Sequence, residues 1–186
     1  MKVVGNEGTL GVIMAASLRL FDRPQGFATA MLCVKDVPAA MAVLREVQAK
    51  SGNAVECFEL IQRIAYDMVK KHMPQFRMPF EESPELGFLI EIAALTEKNS
   101  HVGSSGQTGV DEFLEDLISS NLEANFVENV MFAKSKVDRT NLWALRERTL
   151  EPTDHEGTWL RADVSLPQKL LAKLSDVSTH WTDLRI

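Results

Sequence analysis

From Phe27 onward, short apolar runs of strand character alternate with longer stretches whose apolar residues recur every three or four positions, and this alternation leaves few folds open to the chain. "FATAMLCV" reads as a buried strand. Asp36 is placed to N-cap the next helix, Pro38 is tolerated in its first turn, and Met41, Leu44 and Val47 share a face until Gly52 stops it. "AVECFELI" starts as a strand and grades into a helix on which Leu60, Ile64 and Met68 are spaced by four, ending before Pro74. "LGFLIEIAAL" is the strongest strand signal, and the Gly- and Ser-rich "TEKNSHVGSSGQTG" after it is a loop. Val110, Phe113, Leu114, Leu117 and Ile118 form a helical stripe, "NVMFAKS" a strand, and "DRTNLWALRERTL" a helix. In "TWLRADVS", Leu160, Ala162 and Val164 share one strand face and Trp159, Arg161, Asp163 and Ser165 the other. Ser165 to Gln168 has the form of a capping box, and Leu170, Leu171, Leu174 and Val177 continue as a helical face. Ahead of the alternation, "VIMAASLRLFDRP" reads as a strand leading to a turn at Asp22–Pro24.

Such an order fits a parallel doubly wound sheet or an antiparallel sheet with helices on one side. Several connections are long and the strands do not end in glycine, which favours the second, an α+β fold.

Composition narrows the function classes. The chain has 186 residues, 45% of them hydrophobic and 25% charged, as in an ordinary globular domain. A net charge of −6 argues against a nucleic-acid surface, which needs clustered Lys and Arg. That charge is uneven: from Lys134 onward nine basic residues face eight acidic ones, so a small anion is best accommodated in the last third. No run approaches a membrane span and the first residues lack a signal-peptide pattern, so a cytoplasmic protein is expected. Cys33 and Cys57 lie in apolar stretches and are expected to be buried thiols. His72, His101, His155 and His180 have no metal-ligand spacing, and no G-x-S-x-G elbow is present.

Three features could carry chemistry. The first is "GNEGTLG", Gly5 to Gly11, whose spacing suits either a tight turn or close approach of the backbone to a flat or phosphorylated ligand. The second is Arg146 in "LWALRER", one turn beyond Leu142 and Trp143 and so flanking a buried helix face, although a plain solvent-exposed arginine is the default there. The third is Arg161, which shares its strand face with Trp159 and could hold a carboxylate by a bidentate pair or could pair with Asp163.

Taken together, "VGNEGTLGVIMAASLRL", "CFELI", "ESPELGFLIEIAAL", "LWALRER" and "WLRADVSLP" resemble the C-terminal portion of the FAD-linked 2-hydroxy acid dehydrogenases, within the vanillyl-alcohol-oxidase superfamily. The resemblance runs from about Val3 to Ala172 and includes the hydroxyglutarate-, lactate- and glycolate-oxidising branches. It implies that residues 1–22 are the tail of an FAD-binding domain and residues 23–186 an incomplete substrate domain, with an antiparallel sheet of ferredoxin-like type. Gly5, Asn6, Glu7, Gly8, Thr9 and Gly11 would approach FAD, with Asn6 standing where the family usually has Ser.

By the same resemblance Arg146 stands at the family's carboxylate-binding arginine. A threonine that assists it would fall at Leu150, with Thr149 one residue early, and Arg161 stands where the hydroxyglutarate enzymes carry Lys. The family's "GDGNLH" metal segment and its later Glu-His segment do not occur, so the divalent metal of the parent enzymes has no ligands here. The expected activity of the complete enzyme is hydride transfer from a small D-2-hydroxy acid to FAD, with this chain alone inactive and not retaining flavin. A free-standing ferredoxin-like module that binds carboxylates or forms a homodimer through an open sheet face is the alternative.

Overall fold

The computed structural model describes residues 8–21, 23–103 and 106–149. Four strands and their helices follow in chain order: β1 (Gly26–Val34), α1 (Val37–Lys50), β2 (Val55–Gln62), α2 (Arg63–His72), β3 (Leu86–Ala94), α3 (Glu97–Ser100), α4 (Gly109–Glu123), β4 (Val127–Phe132) and α5 (Lys136–Arg148). The sheet order is β2-β3-β1-β4 and every pairing is antiparallel. This is the α+β class expected, with the strand order of a split β-α-β unit of ferredoxin-like type.

The central strands explain the two longest apolar runs. β1 and β3 are buried along both faces from Ala28 and from Gly87 onward, so each is apolar almost without alternation. On one face Ala28, Ala30, Leu32, Phe88, Ile90 and Ile92 pack against α1 and α4. Those two helices bury the stripes read from the sequence: Met41, Leu44 and Val47 on α1, and Val110, Leu114, Leu117 and Ile118 on α4. Their starts are chemically specified. Asp36 accepts from the Ala39 amide at 2.7 Å, and Thr108 forms a reciprocal capping box with Asp111.

Beyond this pair, a second layer lies on the other sheet face. Met31, Cys57, Ile61 and Leu89 meet Leu142 and Leu145 of α5 and Tyr66 and Val69 of α2. Gly87 makes the α2 contact possible, because a Cβ there would run into the ring and hydroxyl of Tyr66. β1 and β3 therefore have no bare face, and the strand expected to carry Trp159 lies outside the described residues.

Three local expectations are corrected. β2 runs to Gln62, so Leu60 is a strand residue, and with Ile64 it is exposed; Tyr66 and Val69 form the buried face of α2 instead. The spacing of four crossed a junction where strand pairing with Leu86 to Phe88 continues to Gln62. Residues 11–21 form neither helix nor strand, and Val12, Met14, Leu18, Leu20 and Phe21 are all more than three-quarters exposed. A strand needs a hydrogen-bonded neighbour, and among the described residues this segment has none. The loop after β3 contains the single turn α3 and a bridge between Val102 and Thr108.

Candidate substrate-binding site

Helix α5 brings three long polar side chains over the second sheet face. Ser135 caps it by accepting from the Asp138 amide at 3.1 Å, and the buried Leu142 and Leu145 fix its rotation. Arg139, Trp143 and Arg146 recur at helical spacing beside those leucines and point their polar ends at two strand carboxylates.

Glu91 of β3 is the first, only 3% exposed in the middle of the apolar run. Arg139 reaches it with a two-pronged pair, Nε to Oε2 at 2.8 Å and Nη2 to Oε1 at 2.7 Å. Trp143 Nε1 donates at 2.9 Å and Thr29 Oγ1 at 2.6 Å. Burial by itself raises the Glu91 carboxyl, but the bonds from Arg139, Thr29 and Trp143, with the charge of Arg139, outweigh it and hold the group below its ordinary range. Arg139 also lies over the Phe27 ring, 4.7 Å from its centre.

Glu59 of the edge strand β2 is the second. Arg146 Nε and Nη2 both donate to its Oε2, at 3.3 and 3.2 Å. Both side chains are 42% exposed. Thr149, at the C-terminal end of α5, donates its hydroxyl to the Arg146 carbonyl at 2.9 Å, which places it beside the arginine's backbone. Beneath this pair the Cys57 thiol is pushed up to about 12 by burial and by the charges of Glu59 and Glu91, so it is an inert core group. Cys33 is likewise buried, its thiol raised to about 12 by burial and then by Glu128.

Of the residues singled out from sequence, Arg146 and Thr149 thus stand together at one end of α5. Gly8 and Gly11 have positive φ values of 83° and 144°, conformations that favour glycine, with open space where a Cβ would be. Gly5, Asn6, Glu7 and Arg161 lie outside the described residues. Glu59, Glu91 and Arg139 escaped the sequence reading. One signal was available: a lone carboxylate in "LGFLIEIAAL" must be paired if the strand is buried. Among the described residues no group of three His, Cys, Asp or Glu is placed to hold a metal, and no helix is long and apolar enough to cross a membrane.

The fold is thus an α+β domain of split β-α-β type, with arginines on the helix that covers its second sheet face. The chain belongs to the family described as FAD linked oxidases, C-terminal domain, which matches residues 23–179. Among similar proteins, the mitochondrial D-2-hydroxyglutarate dehydrogenase of Danio rerio is 28% identical over 95% of this chain and 31% of its own length. The enzyme of the same name from Arabidopsis thaliana is 25% identical over 97% and 31%, and D-2-hydroxyglutarate dehydrogenase of Stutzerimonas stutzeri 26% over 98% and 37%. The chain therefore spans about a third of the length of the curated relatives it matches.

Proposed function

We propose that the chain is the substrate domain of an FAD-dependent oxidoreductase that oxidises a D-2-hydroxy acid of the 2-hydroxyglutarate, lactate or glycolate type. The observation that carries this reading is Arg146: in a domain of the FAD-linked oxidases, its guanidinium is half-exposed and held by a single carboxylate oxygen. An arginine in that state can receive the carboxylate of a small acid, neutralise it and fix its orientation.

Arg161 is assigned as a second cation for the substrate, and Thr149 as a polar neighbour of the first. Bound FAD would supply the hydride acceptor for the oxidation, and the residues here would orient the acid towards it. The backbone of Gly8 and Gly11 suits close approach to such a group, since neither position has a side chain in the way and both adopt positive φ. Residues 1–22 are read as the tail of the flavin domain and residues 23–186 as the substrate domain. A short glycine segment is too small a surface to retain FAD, so the isolated chain is expected to be colourless. A cytoplasmic location belongs to the same proposal and draws no support from the relatives, of which several are named mitochondrial.

Each charge-assisted contact contributes about 1.5–3 kcal/mol when shielded, and much less in a site open to water. The isolated domain should bind its substrate with a Kd on the order of millimolar, about −4 kcal/mol. Chemical-shift titration with D-2-hydroxyglutarate, D-lactate and glycolate, beside Arg146→Ala and Arg161→Ala, tests this. Saturable shifts around α5 that vanish in Arg146→Ala support the assignment; shifts that map elsewhere, or persist in both variants, overturn it.

A further inference from the structure

We propose that Glu59 is an internal competitor for the anion site on Arg146. Its carboxylate occupies the guanidinium until the carboxylate of an incoming hydroxy acid displaces it, which makes Glu59 a determinant of substrate affinity. This inference rests on the reading of Arg146 as the substrate's carboxylate receptor.

The geometry of the pair is that of an occupant easily displaced. Charge-assisted N–H to O contacts ordinarily close to about 2.7–2.9 Å. Here the two donors share one oxygen at 3.2 and 3.3 Å. The neighbouring Arg139 on the same helix shows what a committed arginine looks like, with each prong on its own oxygen at 2.7 and 2.8 Å. Solvent reaches both members of the Arg146 pair, so water can replace either partner and separation costs little.

Position in the sheet supports the same conclusion. Glu59 lies on the edge strand, opposite Leu89, and its face-sharing neighbours Cys57 and Ile61 are buried. It is thus the polar member of an otherwise apolar stretch, and its carboxylate can move outward without uncovering the core. A glutamate that instead oriented Arg146 for the substrate would be shielded and bound through both oxygens, as Glu91 is with Arg139.

The two roles predict opposite signs. Glu59→Gln keeps the size and a carbonyl acceptor but removes the competing charge. Titrating D-2-hydroxyglutarate against the full chain by NMR should show about two- to fivefold tighter binding in Glu59→Gln than in wild type. Glu56→Gln removes the same charge from an exposed position on the same strand and should leave the Kd unchanged. The gain should disappear in the double variant Glu59→Gln/Arg146→Ala. Weaker or unchanged binding in Glu59→Gln, an equal gain in Glu56→Gln, or a gain that survives loss of Arg146 would each overturn the competitor role while leaving the substrate-domain reading in place. If neither wild type nor Glu59→Gln binds at α5, the receptor assignment itself falls and the competitor role with it.

Discussion

Helix α5 carries two arginine–glutamate pairs seven residues apart, and they differ in almost every property that decides what an ion pair does. Arg139–Glu91 joins a helix to a central strand, and its carboxylate is 4% exposed and receives four hydrogen bonds. Arg146–Glu59 joins the same helix to the edge strand, with both members 42% exposed and a single oxygen shared. Residue type and helix position do not separate a fully matched arginine from a solvent-accessible one. Burial of the partner and the number of its donors do. A charge placed in the core must be matched completely or it destabilises the fold, whereas a charge at the rim can change partners at a cost of about 1 kcal/mol or less.

The two pairs should differ most when Glu91 is removed. Glu91→Ala leaves the Thr29 hydroxyl and the Trp143 indole unpaired in the core and frees Arg139 beside them. Breaking a fully buried pair costs about 3–5 kcal/mol, and because Arg139 is one-third exposed and can turn to water, about 3 kcal/mol is expected from urea unfolding. A loss under about 1 kcal/mol would remove the distinction between the pairs.

Acid should act on the same group. The folded-state carboxyl of Glu91 is held below its ordinary range, so its contribution is fully present above the unfolded value, roughly 4.3, and is lost as pH falls through the folded one. Wild type should therefore lose stability steeply below about pH 4. Glu91→Gln should be less stable at neutral pH and flatter across that acid window. Identical slopes for the two proteins would mean that Glu91 does not titrate with folding.

A smaller effect comes from Trp143→Phe, which keeps most of the ring's packing but deletes one donor to Glu91. A hydrogen bond to a charged group contributes about 1.5–3 kcal/mol, and with three other donors remaining the lower end is expected. Smallest of all is Glu59→Gln, whose unfolding free energy should lie within about 0.5 kcal/mol of wild type even as its ligand affinity changes. A destabilisation as large as that of Trp143→Phe would place Glu59 among the structural residues.

Much of this architecture was legible in the sequence because it is encoded locally. The continuous runs of β1 and β3, the Asp36 cap with its apolar stripe, and the stripe of α4 each state an element within a dozen residues. The β2–α2 junction was not, because Leu60 fits both the strand's alternation and a helical spacing of four, and only the ladder with β3 decides between them. The candidate site was legible only at Arg146. Arg146 stood out through its resemblance to a known family, but Glu91 acquires its meaning from Thr29, Arg139 and Trp143, which lie 62, 48 and 52 residues away along the chain. Glu59 is 87 residues from Arg146. Contacts at such separations are products of the sheet order, and no periodicity within one element announces them.

A receptive Arg146 and a committed Arg139 differ in how their side-chain Nε–Hε resonances respond to ligand. Titrating D-2-hydroxyglutarate into the labelled protein should move the Arg146 signal along a saturable curve while the Arg139 signal keeps its position. Movement of Arg139 with Arg146 unmoved, or equal movement of both, would show that Arg146 is not the receptive arginine.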